Sequence, residues 1–156
     1  MKNSPGCSLR DIQRRSDLPF GSVSYHLDFL QKHGLLKKTA DGNSLRFFTN
    51  DLKADDEKLL ILLRQDSIRN IILFIFSHEH CTHQDIISAV KLSPSTVTWH
   101  LKKIIDSGVV REVRKGKYKA YSIAIPKERI VNLLIVYKES FLDKLVNGII
   151  EMWERT

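Results

Sequence analysis

One stretch of the chain occurs twice, and this internal repeat limits the possible folds more than any other feature. Residues 7–48 align with residues 81–122 without a gap when the first stretch is shifted by 74 positions. Identical residues then coincide, among them Cys7 and Cys81, Asp11 and Asp85, Val23 and Val97, Leu27 and Leu101, Gly34 and Gly108, and Gly42 and Gly116. We therefore expect two copies of one folding unit, which we call the first repeat (residues 7–48) and the second repeat (residues 81–122).

The second repeat and the residues before it show a pattern of three helices followed by a β-hairpin. Residues 67–77 are apolar enough to form a buried helix. Thr82 can cap a second, short helix, and Pro94 is suited to the first turn of a third. Gly108 is suited to end that third helix, and residues 109–123 read as two strands joined by a turn. This order predicts a helix-turn-helix with a wing.

The residues of the third helix resemble a known family. Residues 95–103 (STVTWHLKK), followed by residues 108–110 (GVV), look like the recognition helix and next strand of winged helix-turn-helix regulators. The resemblance is to the ArsR/MarR-like group, especially archaeal regulators with two such domains in tandem. Residues 21–27 with residues 34–36 show the same signature in the first repeat. The resemblance implies a sequence-specific, double-stranded DNA-binding transcriptional regulator with its recognition helix, residues 94–107, in the major groove and its wing, residues 114–119, on the backbone.

The expected fold is mainly α with small β-hairpins (α+β), with two winged helix-turn-helix domains in tandem and a long C-terminal helix. We predict a first domain at 1–50, a linker helix at 51–65, a second domain at 66–125 and a C-terminal helix at 126–156. By the repeat offset, the first helix of the first domain would begin before Met1, so we expect it to be absent or to come from elsewhere, such as a partner subunit or the C-terminal helix.

The C-terminal segment carries a long apolar stripe at helical spacing. Its members are Ile130, Leu133, Leu134, Tyr137, Phe141, Leu145, Ile149 and Met152. A small domain cannot cover a stripe of this length alone, so we expect a homodimer formed through the C-terminal helix. The alternative is that this helix folds back over the first repeat and replaces its missing helix.

The DNA-binding candidates of the second repeat lie on the third helix and the hairpin. With Val97 and Leu101 in the core, the opposite helix face carries Ser95, Thr96, Thr98, Trp99, Lys102 and Lys103. Hydroxyl groups can bind base edges or phosphates, and lysines suit phosphates. For Trp99, packing against a neighbouring element is an equal alternative. The wing adds Arg111, Arg114, Lys115, Lys117 and Lys119.

The first repeat has a less basic recognition face. Its candidates are Ser22, Ser24 and Tyr25, but Asp28 and Phe29 stand where the second repeat has Lys102 and Lys103. An acid facing phosphate is unfavourable, and an exposed phenylalanine suggests a protein contact. We therefore predict that the second repeat is the main DNA reader and that the first repeat assists it or binds a partner. His26 and His100, beside the core stripe, are expected to be structural.

The charge distribution agrees with a nucleic-acid partner. The formal net charge is +7, which favours an anionic partner. Residues 1–50 carry eight basic and four acidic residues, and residues 81–125 carry eight and three. The connecting residues 51–80 carry four basic and six acidic residues, and residues 126–156 carry five of each. The excess positive charge therefore lies on the repeats.

Other chemistry is weakly indicated. His78, His80, Cys81 and His83 lie close enough in sequence for a zinc or copper site, but the first repeat offers only Cys7 there. We therefore expect no metal and no cofactor, with both cysteines as small buried residues. The sequence contains no phosphate-binding glycine loop, HExxH motif or nucleophile elbow, so we expect no enzyme.

Two cysteines and short apolar runs favour an intracellular chain without membrane contact. The expected location is the cytoplasm, with membrane tethering if a segment precedes Met1, since some archaeal tandem regulators have one. The alternative function is a winged-helix protein-interaction or nucleoid-architectural module that reads no DNA sequence.

Overall fold

The computed structural model describes residues 5–137 and 144–155, and its contacts divide the chain into two compact units, Met1–Ile61 and Leu62–Thr156. The elements of the first unit are β1 (Cys7–Ser8), α1 (Leu9–Ser16), α2 (Phe20–Lys32), β2 (Leu36–Asp41) and β3 (Ser44–Thr49). A further helix, α3 (Ala54–Leu63), begins in the first unit and ends just past the boundary.

The second unit begins with the apolar helix expected from the sequence. Its elements are α4 (Asp66–Ser77), β4 (Cys81–Thr82), α5 (His83–Val90), α6 (Pro94–Asp106), β5 (Val110–Lys115), β6 (Tyr118–Ile123), α7 (Lys127–Val136) and α8 (Lys144–Glu154). Five consecutive elements, β4 to β6, begin and end 74 residues after β1 to β3. Both sheets are antiparallel and three-stranded, in the orders β1-β3-β2 and β4-β6-β5. The predicted mixture of helices and small β-hairpins is confirmed.

The same local signals set the helix ends in both units. A capping box joins Ser8 to Asp11 before α1 and Thr82 to Asp85 before α5, so two backbone amides at the start of each helix are satisfied. The backbone amide of Thr82 donates to the Asp85 carboxylate at 2.8 Å. After α6, Gly108 has a φ of 78°, a left-handed conformation that glycine adopts without the steric cost of a Cβ.

Side chains at equivalent core positions are buried to different extents in the two units. In the first unit, Val23 and Leu27 of α2 pack with Leu36 and Phe47, and Ile12 is only partly buried beside them. In the second unit, α4 packs against α5, α6 and β6, and the side chains of α6 that face inward are buried. Helix α4 contributes Ile68, Ile71, Ile72 and Ile75, each with no exposed surface. In the part of the chain that the structure describes, no helix is both long and apolar enough to cross a bilayer.

The C-terminal segment differs from the single long helix that the sequence predicts, and that prediction is wrong. α7 ends at Val136, where Tyr137 leaves the helical conformation with φ −112° and ψ 27°, and α8 begins at Lys144. The two helices pack against each other, and α8 also packs against α4. Two shorter helices can bury apolar faces that one straight helix would leave in water.

Much of the predicted apolar stripe is therefore used inside the second unit. Ile130, Leu133 and Leu134 of α7 and Ile149 of α8 are buried, whereas Met152 is exposed. The predicted contributions of Phe141 and the Leu145 side chain lie outside the described residues. The length of the stripe consequently gives no argument for a dimer.

Candidate nucleic-acid interface

Helix α6 turns one face into the core and the opposite face to solvent. Val97, Leu101 and Ile104 are buried at spacings of four and three, which places them on one side of the helix. Ser95, Thr98, Trp99 and Lys102 are exposed. Trp99 is 62% exposed and contacts the edge of the His100 ring, with centroids 5.1 Å apart. An exposed indole on this face is available to a ligand, which favours contact with a partner over packing as its role.

The hydroxyl groups at the start of α6 form a connected set. The Ser93 hydroxyl accepts from the Thr96 backbone amide at 3.2 Å and lies 2.7 Å from the Thr96 hydroxyl and 3.1 Å from the Ser95 hydroxyl. The Thr98 hydroxyl donates to the Pro94 carbonyl at 2.8 Å. These bonds fix the positions of the hydroxyl oxygens. Because a hydroxyl oxygen has two acceptor positions, it can still accept a hydrogen bond from a ligand.

A histidine of α5 supports this face. His83 Nε2 lies 3.0 Å from the Thr98 hydroxyl oxygen, so the second and third helices of the motif are joined by a polar contact. The equivalent positions in the first repeat are Leu9 and Ser24, which form no such pair. This contact was not predicted, because the sequence pattern around His83 indicated only a metal site.

Two of the predicted face residues lie to one side of the exposed row. Thr96 and Lys103 are half-buried, and Lys103 Nζ donates to Gln65 Oε1 just before α4, at 3.4 Å. This side of α6 also carries an acidic residue. Asp106, the last residue of α6, is exposed and follows Lys102 by four residues on the same side of the helix. The positive charge of α6 therefore lies nearer its middle than its C-terminal end.

The wing of the second repeat is strongly cationic. Arg111, Arg114, Lys115 and Lys117 are exposed, and none forms an ion pair within the described residues. Lys119 is paired with Glu112 on the neighbouring strand, at 3.1 Å. Tyr118, at the start of β6, is 72% exposed. Its position in a predicted strand gave no sign of this exposure. A phosphate backbone is the natural partner of such a surface.

The first repeat presents a different surface on the same backbone. Ser22 and Ser24 are half-buried, whereas Tyr25, Asp28 and Phe29 are exposed. The exposed position of Phe29, whose ring packs on His33 with centroids 4.0 Å apart, is as expected. At the hairpin positions that correspond to residues 114–119, the first repeat has residues 40–45 (ADGNSL) in place of RKGKYK.

Several cations of the first repeat are already paired. Lys37 pairs with the buried Glu57 of α3, and Glu57 also accepts from the Thr39 hydroxyl at 3.0 Å. Arg46 pairs with Asp41 at 3.2 Å and lies 3.7 Å from Asp11. The basic residues of the first repeat therefore count for less toward an anionic partner than their number in the sequence suggests.

The two histidines of the recognition helices differ in environment. His26 is exposed, whereas His100 is half-buried. Burial, together with the nearby Lys103 charge, lowers the pKa of His100 below its usual value. His100 Nδ1 is buried without a hydrogen-bond partner within the described residues. The neutral ring is thus favoured beside the core, which agrees with a structural role for His100.

The histidine and cysteine cluster before α5 does not converge on one point. His80 Nδ1 lies 3.0 Å from the Ser122 hydroxyl, and the His78 ring stacks on Phe74 at 4.4 Å. Burial, and secondarily the charges of Asp85 and Glu79, raises the pKa of the Cys81 thiol to about 11. Among the residues that the structure describes, no three histidine, cysteine or acidic side chains are placed to hold a metal ion. Cys7 and Cys81 are both buried free thiols.

The fold and exposed basic surface of the second repeat define a winged helix-turn-helix domain. Residues 64–111 match the family model described as winged helix-turn-helix DNA-binding. The chain is also 30% identical over 123 residues, 78% of its length, to the "Uncharacterized HTH-type transcriptional regulator MJ1398" of Methanocaldococcus jannaschii. The chain spans 30% of the length of that relative.

Two solved structures are among those similar to this chain. The transcriptional repressor PagR of Bacillus anthracis is 31% identical, with 52% of this chain and 92% of that chain covered and a TM-score of 0.46. Lactococcus lactis ZitR, in complex with DNA, is 18% identical, with 86% and 90% covered and a TM-score of 0.33. From the family match and the archaeal relative, the chain carries a winged helix-turn-helix DNA-binding domain and is homologous to an archaeal HTH-type transcriptional regulator.

Proposed function

We propose that this chain is a transcriptional regulator that reads a specific double-stranded DNA sequence through its second repeat. Helix α6 would enter the major groove with its exposed row, and the wing at residues 114–119 would contact the backbone. The observation that carries the proposal is the row of exposed wing cations without ion pairs beside the exposed face of α6. A dedicated anion-binding surface explains why these charges have no protein partner.

The roles follow from the position of each group. Ser95 and Thr98 have hydroxyls that can reach base edges, and Trp99 has an apolar face that suits a thymine methyl group or the sugar-phosphate wall. Lys102 lies one turn further along and suits a phosphate. Arg114, Lys115 and Lys117 would neutralise phosphates beside the groove. The half-buried Lys103 would contribute mainly through its long-range charge.

We also propose that the two repeats form tandem winged helix-turn-helix domains of the ArsR/MarR-like archaeal type. Five consecutive elements of the first repeat recur in the second repeat with bounds shifted by 74 residues, which supports this organisation. The homodimer through the C-terminal helices that the sequence predicts would have to use the exposed apolar residues Ile135, Val136 and Met152. The expectation of no catalytic activity stays a prediction from the sequence, which contains no phosphate-binding glycine loop, HExxH motif or nucleophile elbow.

Selection from a pool of randomised duplexes, followed by fluorescence-anisotropy titration at two salt concentrations, tests the proposal. We expect enrichment of one site and an affinity that falls steeply with salt, because phosphate neutralisation releases counterions. Salt-sensitive binding without enrichment would instead favour the nucleoid-architectural alternative. Absence of binding at low salt would leave the protein-interaction alternative and overturn the proposal.

A further inference from the structure

The first repeat contains a groove at the place where the second repeat presents its DNA-binding face. The groove has a volume of about 590 Å³ and is lined by residues of α1, α2 and the β2–β3 hairpin. Its lining includes the apolar side chains of Leu9, Phe20, Leu27, Leu45 and Phe47. We call it the first-repeat groove. It lies entirely within the first unit.

Large apolar side chains at the first-repeat groove are exposed to water. Phe20 is 52% exposed and Leu45 is 49% exposed. The equivalent residues of the second repeat are Pro94 and Lys119. Leu18, just before α2, and Tyr25 and Phe29, on α2, are also between 44% and 67% exposed. A group of exposed apolar side chains of this kind marks a contact surface for protein.

The charges of the first-repeat groove have both signs. Arg10, Asp28 and Lys38 line it, all three are exposed, and none forms an ion pair within the described part of the chain. By contrast, the neighbouring cations Lys37 and Arg46 are paired within the first unit. The groove therefore combines unpaired charges of opposite sign with exposed apolar surface, and each element that lines it contributes one of the charges.

DNA does not match this surface. Asp28 stands where Lys102 suits a phosphate, and the hairpin tip at residues 40–45 has one acidic residue and no basic one. A polyanion would meet a carboxylate on the helix and no cation at the tip of the wing. A protein surface that has apolar groups and both signs of charge is the better match.

We propose that the occupant of the first-repeat groove is a second copy of this chain, bound through the same surface. In a two-fold symmetric contact, each residue that meets another is met by it in return, so the surface must complement itself. Asp28 on α2 can pair with Arg10 or Lys38 of the partner subunit, while Phe20 and Leu45 bury their exposed faces.

Sedimentation velocity of the full chain without DNA, over a range of concentrations, tests the inference. We expect the wild type to dimerise. In the variant Phe20→Ser with Leu45→Ser, the dissociation constant of the dimer should rise roughly tenfold, because the apolar core of a contact supplies most of its binding energy. The matched control is Val136→Ser with Met152→Ser, which removes exposed apolar side chains of the C-terminal helices. Its dimer should be as strong as that of the wild type.

A charge exchange makes the test specific to this geometry. Asp28→Arg alone should weaken the dimer roughly tenfold by placing like charges together, and Arg10→Asp with Lys38→Asp should do the same. Combining all three changes should restore the dimer, and circular dichroism checks that each variant is folded. A monomeric wild type, a dimer lost only in the C-terminal control, or no restoration by the exchange would each overturn the inference. The measurement uses no DNA, so its failure leaves the proposed function untouched.

Discussion

The two repeats share one backbone but present opposite surfaces. Their core positions agree, as at Val23 and Val97 or Leu27 and Leu101, and all four side chains are buried. Their exposed positions disagree: Asp28 replaces Lys102, and a neutral or acidic hairpin tip replaces a cationic one. The comparison separates what sets the fold from what sets the function. The identical buried residues maintain the helix-turn-helix fold in both repeats, while the exposed residues decide whether its outer face suits phosphate or protein.

The largest expected difference between the repeats is in the free energy of unfolding that is lost when equivalent core side chains are truncated. Ile86 has no exposed surface, whereas its equivalent Ile12 is half-buried. Ile86→Ala should lower the free energy of unfolding by about 2–5 kcal/mol, because truncation of a fully buried side chain leaves a cavity. Ile12→Ala should cost about 1 kcal/mol, since the site is partly open to water. Urea denaturation measures both values, and equal losses would show that the cores are equally packed.

The wings give the next largest difference. Arg114→Ala with Lys117→Asn places the first repeat's residues in the second wing and lowers the net charge by two. We expect roughly a thirtyfold loss of DNA affinity at moderate salt and a salt slope lower by about two. Anisotropy on a duplex that carries one half-site measures both quantities.

The matched control for the wing exchange makes the same change of charge in the first repeat. Ala40→Glu with Asn43→Glu also lowers the net charge by two, at the equivalent hairpin positions. If the second wing makes the contact, this control should change the affinity by less than about threefold, through long-range electrostatics alone. Equal losses in the two variants would mean that net charge, and not the second wing, governs binding.

A single position on the recognition helices should give a smaller effect. Lys102→Glu should weaken binding to the half-site roughly tenfold, because it removes a phosphate contact and introduces repulsion. Asp28→Lys, the opposite change at the equivalent position, should alter the same affinity by less than about twofold. Effects of similar size and opposite sign would contradict the functional difference between the repeats.

The smallest expected effect concerns the contact that only the second repeat has. His83→Leu introduces the residue of the first repeat and removes the 3.0 Å contact with the Thr98 hydroxyl. Because a hydrogen bond of this exposure contributes about 0.5–1 kcal/mol, the affinity should fall by a few-fold. The DNA affinity of the double variant His83→Leu with Thr98→Val, compared with that of His83→Leu alone, should then show how much the Thr98 hydroxyl contributes to binding. An effect as large as that of the wing exchange would mean that His83 touches DNA itself.

The repeated elements could be predicted from sequence because their signals are local. Thr82 with Asp85, Ser93 with Pro94, and Gly108 mark helix ends through neighbouring backbone groups, and α6 was expected within one residue of its observed end. The C-terminal segment could not be predicted in this way. Its apolar spacing suits one long helix as well as two, and the packing of α8 against α4 and α7 is a tertiary contact that helical spacing does not show.

The candidate site was predictable in part. Helical spacing identified the exposed row of Ser95, Thr98, Trp99 and Lys102, but it did not show that Lys103 turns toward Gln65. Ion pairs between elements could not be predicted either, so the count of basic residues in the first repeat includes Lys37 and Arg46, which are paired. The first-repeat groove depends on the distance between α2 and the hairpin, which the sequence does not contain.

Site-specific photocrosslinking to a selected duplex tests the central claim most directly. A photoreactive amino acid replaces Lys117 in one variant and Asn43, its equivalent in the first repeat, in another. The account predicts a protein–DNA crosslink from position 117 and background yield from position 43, because only the second wing lies on the phosphate backbone. Equal yields from both positions, or a crosslink from position 43 alone, would contradict it.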